Sequence, residues 1–201
     1  MKKILIALTV IAMAFTSCKQ SETVDATQAV LDNIAARTSV RAYTSEPVPD
    51  EMVETLLRAA MAAPSAMNRQ PWEFVVVNDR AVLDTLAGKL RYAKMLVQAP
   101  LAIVVCAETM ITHRDGSQSE NGLWEHDASA ATQNILLAAK ALGLGAVWTA
   151  ASDPERSAVV KEALNIPGTI MPLCVIPIGF PAEDPEPKDK WKPEKIHYNK
   201  W

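Results

Sequence analysis

A chain of 201 residues that is 49% hydrophobic can build one domain with a substantial core, and its formal charge of −3 comes without any long Lys/Arg cluster. A domain of this size buries about 70% of the surface its unfolded chain exposes. Weak net charge without a basic stripe excludes the electrostatic footprint of a DNA- or RNA-binding protein, so small molecules are the expected partners.

The chain opens on MKKILIALTVIAMAFTSC. Lys2 and Lys3, then an apolar run from Ile4 to Phe15, then Thr16 and Ser17 read as an export signal over residues 1–17, too short for a spanning helix. The small residues before Cys18 resemble a bacterial lipoprotein processing site, with Phe15 where Leu is usual. Cys18 is therefore expected to carry a lipid anchor in the cell envelope, on the periplasmic side or in the outer membrane. Ordinary cleavage to a soluble periplasmic protein is the alternative. Residues 18–24 read as the lipidated cysteine and a polar tether.

From Asp25 the pattern turns helical, with Val30, Leu31 and Ile34 on one face. Pro49 and Asp50 open a second helix, because Pro suits a helix entry and Asp favours the N-terminal end of the dipole. Met52, Val53, Leu56, Leu57 and Ala60 give it a buried face. A polar, proline-bounded segment follows, then a strand from Trp72 to Val77, a helix from about Asp79, a further helix around Tyr92–Val97, and the strand LAIVVCA after Pro100. Residues 108–121, ETMITHRDGSQSEN, are polar and weakly patterned and are expected to be a mobile segment of the kind that serves as a lid. Residues 124–142 form the strongest helix, apolar around much of its circumference and so central or covered by a partner. Gly143 ends it as a C′ glycine. A strand around Ala146–Thr149, a helix from Pro154 to Ala163 and the strand MPLCVIPIGF complete the core, and the proline-rich tail from Pro181 reads as an extended arm. Single strands separated by helices give an α+β or α/β class. An arm and an unusually apolar helix point to a homodimer.

Cys106 and Cys174 sit in apolar runs and read as buried thiols, joined only if their strands are neighbours with suitable spacing. His113, His126 and His197 have no ligand-like spacing and there is no CxxC or HExxH, so no metal is expected.

Three constellations are candidates for chemistry. Arg37, Thr38, Ser39 and Arg41 either grip a phosphate, through charge-assisted guanidinium donors and hydroxyls, or form a solvated loop. Pro64, Ser65, Asn68, Gln70 and Pro71 either present a stiffened polar edge to a planar ring or simply join helix to strand. Gly143–Thr149 either brings backbone close to a ligand or caps a helix ahead of a core strand; it is not a GxGxxG fingerprint.

Together, RTSVR with Tyr43, APSAMNRQPWEFVVV, QAPLAIVV, HDASAATQNILLAAKALGLGAVW and IPIGFP with a tail ending IHYNKW resemble the FMN-dependent nitroreductases, over nearly all of residues 27–201. That resemblance implies that residues 25–201 form one FMN-binding domain: an α+β fold with a central, mostly antiparallel sheet flanked by helices. It also implies an intertwined homodimer with an extended C-terminal arm and FMN at the subunit interface. Arg37 and Ser39, with Thr38 between them, would hold the phosphate, and Lys190 and Lys192 would add charge there. Arg41 would approach the pyrimidine side of the flavin, where it stabilises negative charge. Pro64, Ser65 and Asn68 would contact the cofactor from the other subunit, and the backbone of Val147, Trp148 and Thr149 would face the ring. Ala66 and Met67 stand where the family often has a second serine.

The implied activity is ping-pong transfer from NAD(P)H through flavin to a nitroaromatic, quinone or similar small acceptor, with no catalytic side chain beyond Arg41 as electrostatic stabiliser and with residues 108–121 over the acceptor. The alternatives are a dehalogenating or desaturating relative, and an anchored flavin-binding protein with little turnover. Export conflicts with NAD(P)H, a cytoplasmic metabolite, so the donor and the signal pull against each other. Membrane contact is expected through the Cys18 lipid alone.

Overall fold

LAIVVCA has no polar side chain, and a strand with no polar face must be covered on both sides. It is the middle of the molecule: every residue from Leu101 to Ala107 is buried. The computed structural model describes residues 25–183 and 185–201. Within them lie the helices α1 (Ala26–Ala36), α2 (Asp50–Met61), α3 (Arg80–Lys89), α4 (Trp124–Ala141) and α5 (Pro154–Leu164). The strands are β1 (Trp72–Val77), β2 (Leu101–Glu108), β3 (Met110–Thr112), β4 (Gln118–Glu120), β5 (Gly145–Ala146), β6 (Thr149–Ala150) and β7 (Ile170–Gly179). The main sheet runs β1-β2-β7-β5, with β6 also on β7, and each of these pairings is antiparallel. The fold is α+β.

The period-2 alternation of β2 builds the two cores. Leu101, Ile103, Val105 and Ala107 pack with Leu56 and Ala60 of α2 and with Ala128, Ala131, Ile135 and Ala139 of α4. Ala102, Val104 and Cys106 face the other way, onto Leu83 and Leu86 of α3 and Val160 of α5. Local chemistry sets the helix boundaries: Asp79 accepts from the N–H groups of Ala81 and Val82, Asp153 from that of Arg156, Pro154 enters α5 and Asn165 closes it at φ 53°. These are N-cap and left-handed C-cap signals.

Strand β7 contains two prolines although it lies inside the sheet, where a missing N–H is usually excluded. Pro172 sits at the register shift opposite Val105/Cys106. Pro177 falls beside the gap between β5 and β6, and its carbonyl takes the Tyr43 hydroxyl at 3.1 Å. Both prolines therefore occupy places where the ladder is already interrupted.

Three expectations need correction. The Ala146–Thr149 strand is two short pairings, β5 and β6, interrupted at Val147 and Trp148. The segment around Tyr92–Val97 is a 3₁₀ turn at Lys94–Val97. Residues 108–121 hold a hairpin, with Met110, Ile111 and Thr112 opposite Glu120, Ser119 and Gln118. Its turn is Asp115-Gly116, where Gly116 takes φ 83° and the Asp115 carboxylate accepts from Ser117 N–H at 3.0 Å. An Asp-Gly pair is a hairpin signal in its own right. The signal, Cys18 and tether readings fall on residues outside those described.

Cys106 and Cys174 are free and buried on neighbouring strands, one in each core, so they face opposite sides of the sheet and do not pair. Burial pushes both thiols up to about 12 from an ordinary 9.0. The native chain should therefore resist maleimide at pH 8 and react only once unfolded. Because the folded values are raised, their stabilising contribution is complete below about pH 9 and lost as pH rises toward 12, since the unfolded chain releases those protons first. A urea midpoint falling over that range checks the sign.

Candidate functional site: a cationic cleft between helix α1 and the C-terminal arm

Helix α1 stops at Arg37, whose backbone turns extended and whose N–H caps Asn33 O at 3.2 Å. The next residues alternate inward and outward. Val40 is buried and its N–H donates to Ala146 O at 3.1 Å, while Ser39 and Arg41 face solvent. Tyr43 is buried too, and its hydroxyl donates to Val40 O at 2.7 Å and toward Pro177 O. Burial drives the Tyr43 phenol well above its ordinary pKa, with the Arg41 charge pulling weakly the other way. Beyond it, Thr44 N–H reaches Phe180 O and Ala182 N–H reaches Ala42 O. Gly145 makes this docking possible, because a Cβ there would lie 2.6 Å from Val40 Cγ1.

The outward side chains open on a cleft of about 960 Å³ lined by Arg37, Thr38, Ser39 and Arg41 on one side and Pro185–Trp191 of the arm on the other. Four cations, Arg37, Arg41, Lys188 and Lys190, face two acids there, Glu186 and Asp189. Among the described residues the ion pairs are Arg58–Glu54, Arg80–Asp84, Lys89–Glu162 and Arg156–Asp153, and none uses these four cations. Nor do the Thr38 and Ser39 hydroxyls have a hydrogen-bond partner in the described chain. Apart from a long 3.5 Å contact from Arg41 Nη1 to Ser39 O, these guanidinium, ammonium and hydroxyl donors have no acceptor among the described residues, and the fork of an arginine suits an anion such as phosphate. A second, smaller crevice joins Arg37 and Thr38 to Lys140, Gly143, Leu144 and Ala146. It places the Gly143–Ala146 segment against the same cationic loop.

The remaining predicted residues divide. Lys192 is exposed but does not line the cleft, unlike Lys190. The side chains of Val147 and Thr149 are buried, and Thr149 Oγ1 is spent on Val175 O at 2.6 Å, so only backbone is available there. Trp148 packs partly buried against the α2/α4 core. Pro64, Ser65 and Asn68 do not line this cleft. They belong to a turn between α2 and β1 in which Met67, Asn68 and Gln70 take φ of 54°, 52° and 51°. Such left-handed conformations cost roughly 1–2 kcal/mol for a residue with a Cβ, less for asparagine.

The nitroreductase family model matches residues 34–91 and 84–180. The chain belongs to the nitroreductase family. A protein of Methanothermobacter thermautotrophicus bearing the provisional name NADH dehydrogenase/NAD(P)H nitroreductase is 41% identical over 173 residues, 86% of this chain and 87% of its own. The crystal structure of a protein with the same provisional name from Bacteroides thetaiotaomicron is 50% identical, covers 86% of this chain and 98% of its own, and superposes with a TM-score of 0.79. A further family member, from Desulfovibrio desulfuricans, was solved in complex with FMN; it is 32% identical, with a TM-score of 0.70 over 86% of this chain and 97% of its own.

Within this nitroreductase fold the sequence reading overlooked two residues. Lys140 adds a cation beside Arg37 and sat unremarked in an Ala-rich helix. Asp127 is a buried acid on the core stripe of α4. A carboxylate on an otherwise apolar face was the signal available for it.

Proposed function

We propose that the chain is an FMN-dependent NAD(P)H oxidoreductase that passes electrons to a small oxidised acceptor such as a nitroaromatic or a quinone. The observation that carries the reading is the cleft itself: Arg37, Arg41 and Lys190, in no ion pair among the described residues, together with the hydroxyls of Thr38 and Ser39, in a family whose Desulfovibrio member binds FMN. Arg37, Thr38, Ser39 and Lys190 fit the phosphate of FMN and Arg41 its pyrimidine side. Bound FMN supplies the two-electron chemistry. The protein's part is to hold the cofactor, keep fixed positive charge at Arg41 where negative charge develops, and shape access. No side-chain acid or nucleophile is required.

The site is completed by a second copy of the chain. Val30, Leu31 and Ile34 form an exposed apolar face on α1, and Trp191, Tyr198 and Trp201 are exposed along the arm. An uncovered apolar helix face beside an aromatic arm supports an intertwined homodimer. In that dimer Pro64, Ser65 and Asn68 reach the cofactor from the partner, and the hairpin at residues 108–121 lies over the acceptor.

Anaerobic mixing of the flavin-loaded protein with NADH or NADPH should bleach the flavin band, and a quinone or nitroaromatic should restore it. A band that both nucleotides leave unchanged contradicts the donor assignment. Export and a lipid on Cys18 are proposed separately from the NAD(P)H donor, with which they conflict, and a soluble periplasmic protein is the alternative; no helix among the described residues is long and apolar enough to cross a membrane. Cys18→Ala should move the protein from the membrane fraction to the soluble fraction, and continued sedimentation with membranes would reject the anchor.

A further inference from the structure

The first turn of α4 carries an acid where its core stripe runs. Asp127 is only 4% exposed and neighbours the fully buried Ala128. Its Oδ1 accepts the backbone N–H of Ala66 at 2.8 Å, and its Oδ2 has no partner among the described residues. A buried carboxylate half satisfied in this way is costly, and it is tolerated where something depends on it. Position favours the charge, because the N-terminal turn of a helix presents positive backbone dipole.

What Asp127 grips is the strained turn. The other bonds of residues 65–70 close within the segment: Asn68 N–H to Ser65 O, Arg69 N–H to Ala66 O, Arg69 Nη2 to Met67 Sδ at 3.2 Å, Gln70 N–H to Ser65 Oγ at 2.9 Å and Gln70 Nε2 to Asn68 Oδ1 at 3.0 Å. The Asp127–Ala66 bond ties this closed loop to another element. The Asn68 and Gln70 side-chain amides bond to each other, which leaves the other end of the exposed Asn68 amide facing outward.

We infer that Asp127 is a positioning residue whose buried carboxylate holds the Ser65–Gln70 turn in its left-handed form, and so sets Ser65 and Asn68 at the ligand face. It touches the loop backbone and not the ligand. That the ligand is FMN rests on the function proposed above; that the turn depends on Asp127 does not.

The test uses the full chain and two readouts. Trypsin cleavage after the exposed Arg69 reports order in the turn without any flavin, and quenching of FMN fluorescence gives the dissociation constant. Asp127→Ala removes a charge-assisted bond and should raise Arg69 cleavage about tenfold and weaken FMN binding about tenfold. Asp127→Asn keeps an acceptor for Ala66 N–H and should restore both to within about threefold of the wild type. Packing alone would lower the melting temperature of both variants and leave Arg69 cleavage of the folded protein unchanged, which would overturn the inference. An Asn variant as impaired as the Ala variant would overturn it too. Should Asp127→Ala not fold, hydrogen exchange in the wild type decides: the Ala66 amide should exchange at least about tenfold more slowly than that of Met67, and equal rates would overturn it. A wild type that binds no FMN, with Arg69 still shielded by Asp127, leaves the positioning role standing and removes the flavin reading.

Discussion

Replacing Arg37 with alanine should weaken FMN binding about 10- to 150-fold, the equivalent of about 1.5–3 kcal/mol for a hydrogen bond to a charged group. Arg37 stands at the hinge between α1 and the extended loop, lines both crevices, and has no carboxylate partner among the described residues. Its removal therefore releases no buried acid and should leave the melting temperature nearly unchanged. Riboflavin separates a phosphate contact from a general disturbance. If Arg37 grips phosphate, Arg37→Ala leaves riboflavin affinity alone and reduces the salt dependence of FMN binding. An equal loss for FMN and riboflavin would move the role of Arg37 elsewhere in the site.

The second large effect is expected at a residue with no functional group. Gly145→Ala should destabilise the fold by about 1–3 kcal/mol, the usual cost of forcing extra volume into a packed place. The new Cβ would fall 2.6 Å from Val40 Cγ1 and 2.8 Å from Val40 Cβ, a branched side chain with nowhere to retreat. At this chain length the melting temperature should drop by roughly 2–4 °C per kcal/mol. The same push displaces Val40, whose backbone is tied to Ala146 and whose carbonyl takes the Tyr43 hydroxyl, so Ser39 and Arg41 move with it and FMN affinity falls as well. Gly88→Ala is the control. That glycine lies in α3, and a methyl group added there would meet nothing within 4 Å. The exchange should stabilise the chain by about 0.4–1 kcal/mol. Thermal unfolding of the two variants side by side separates steric docking of the cationic loop from loss of glycine flexibility in general.

Much of the frame was readable because its signals are local. LAIVVCA announces a doubly covered strand, Asp153-Pro154 announces a helix start, and the 3.6-residue stripe of Leu56 and Ala60 announces a buried helix face. The β3/β4 hairpin was missed because each strand is three residues long and partly polar, although Asp115-Gly116 marked its turn. The interruption at Val147 and Trp148 was invisible for a different reason. Pro177, which has no N–H to give the ladder, falls beside that gap, and which strand it meets there is a pairing that no local pattern encodes. The site divides in the same way. Arg37, Ser39 and Arg41 looked either like a phosphate grip or like a solvated loop, and no local pattern shows that they share a cleft with Lys190 of the arm. Lys192, two residues along an extended arm, does not line the cleft. Asp127 escaped because its bond to Ala66 spans 61 positions. An acid early in a helix also has an ordinary explanation in the dipole.

The visible absorbance spectrum of residues 18–201, expressed without the first 17 residues and purified with FMN present, tests the central claim most directly. A bound-flavin spectrum at one FMN per chain is expected, weakened in Arg37→Ala at limiting FMN and recovered by adding FMN to the apoprotein. A folded, dimeric protein that stays colourless in excess FMN would contradict it, and would make the cationic cleft a site for some other anion.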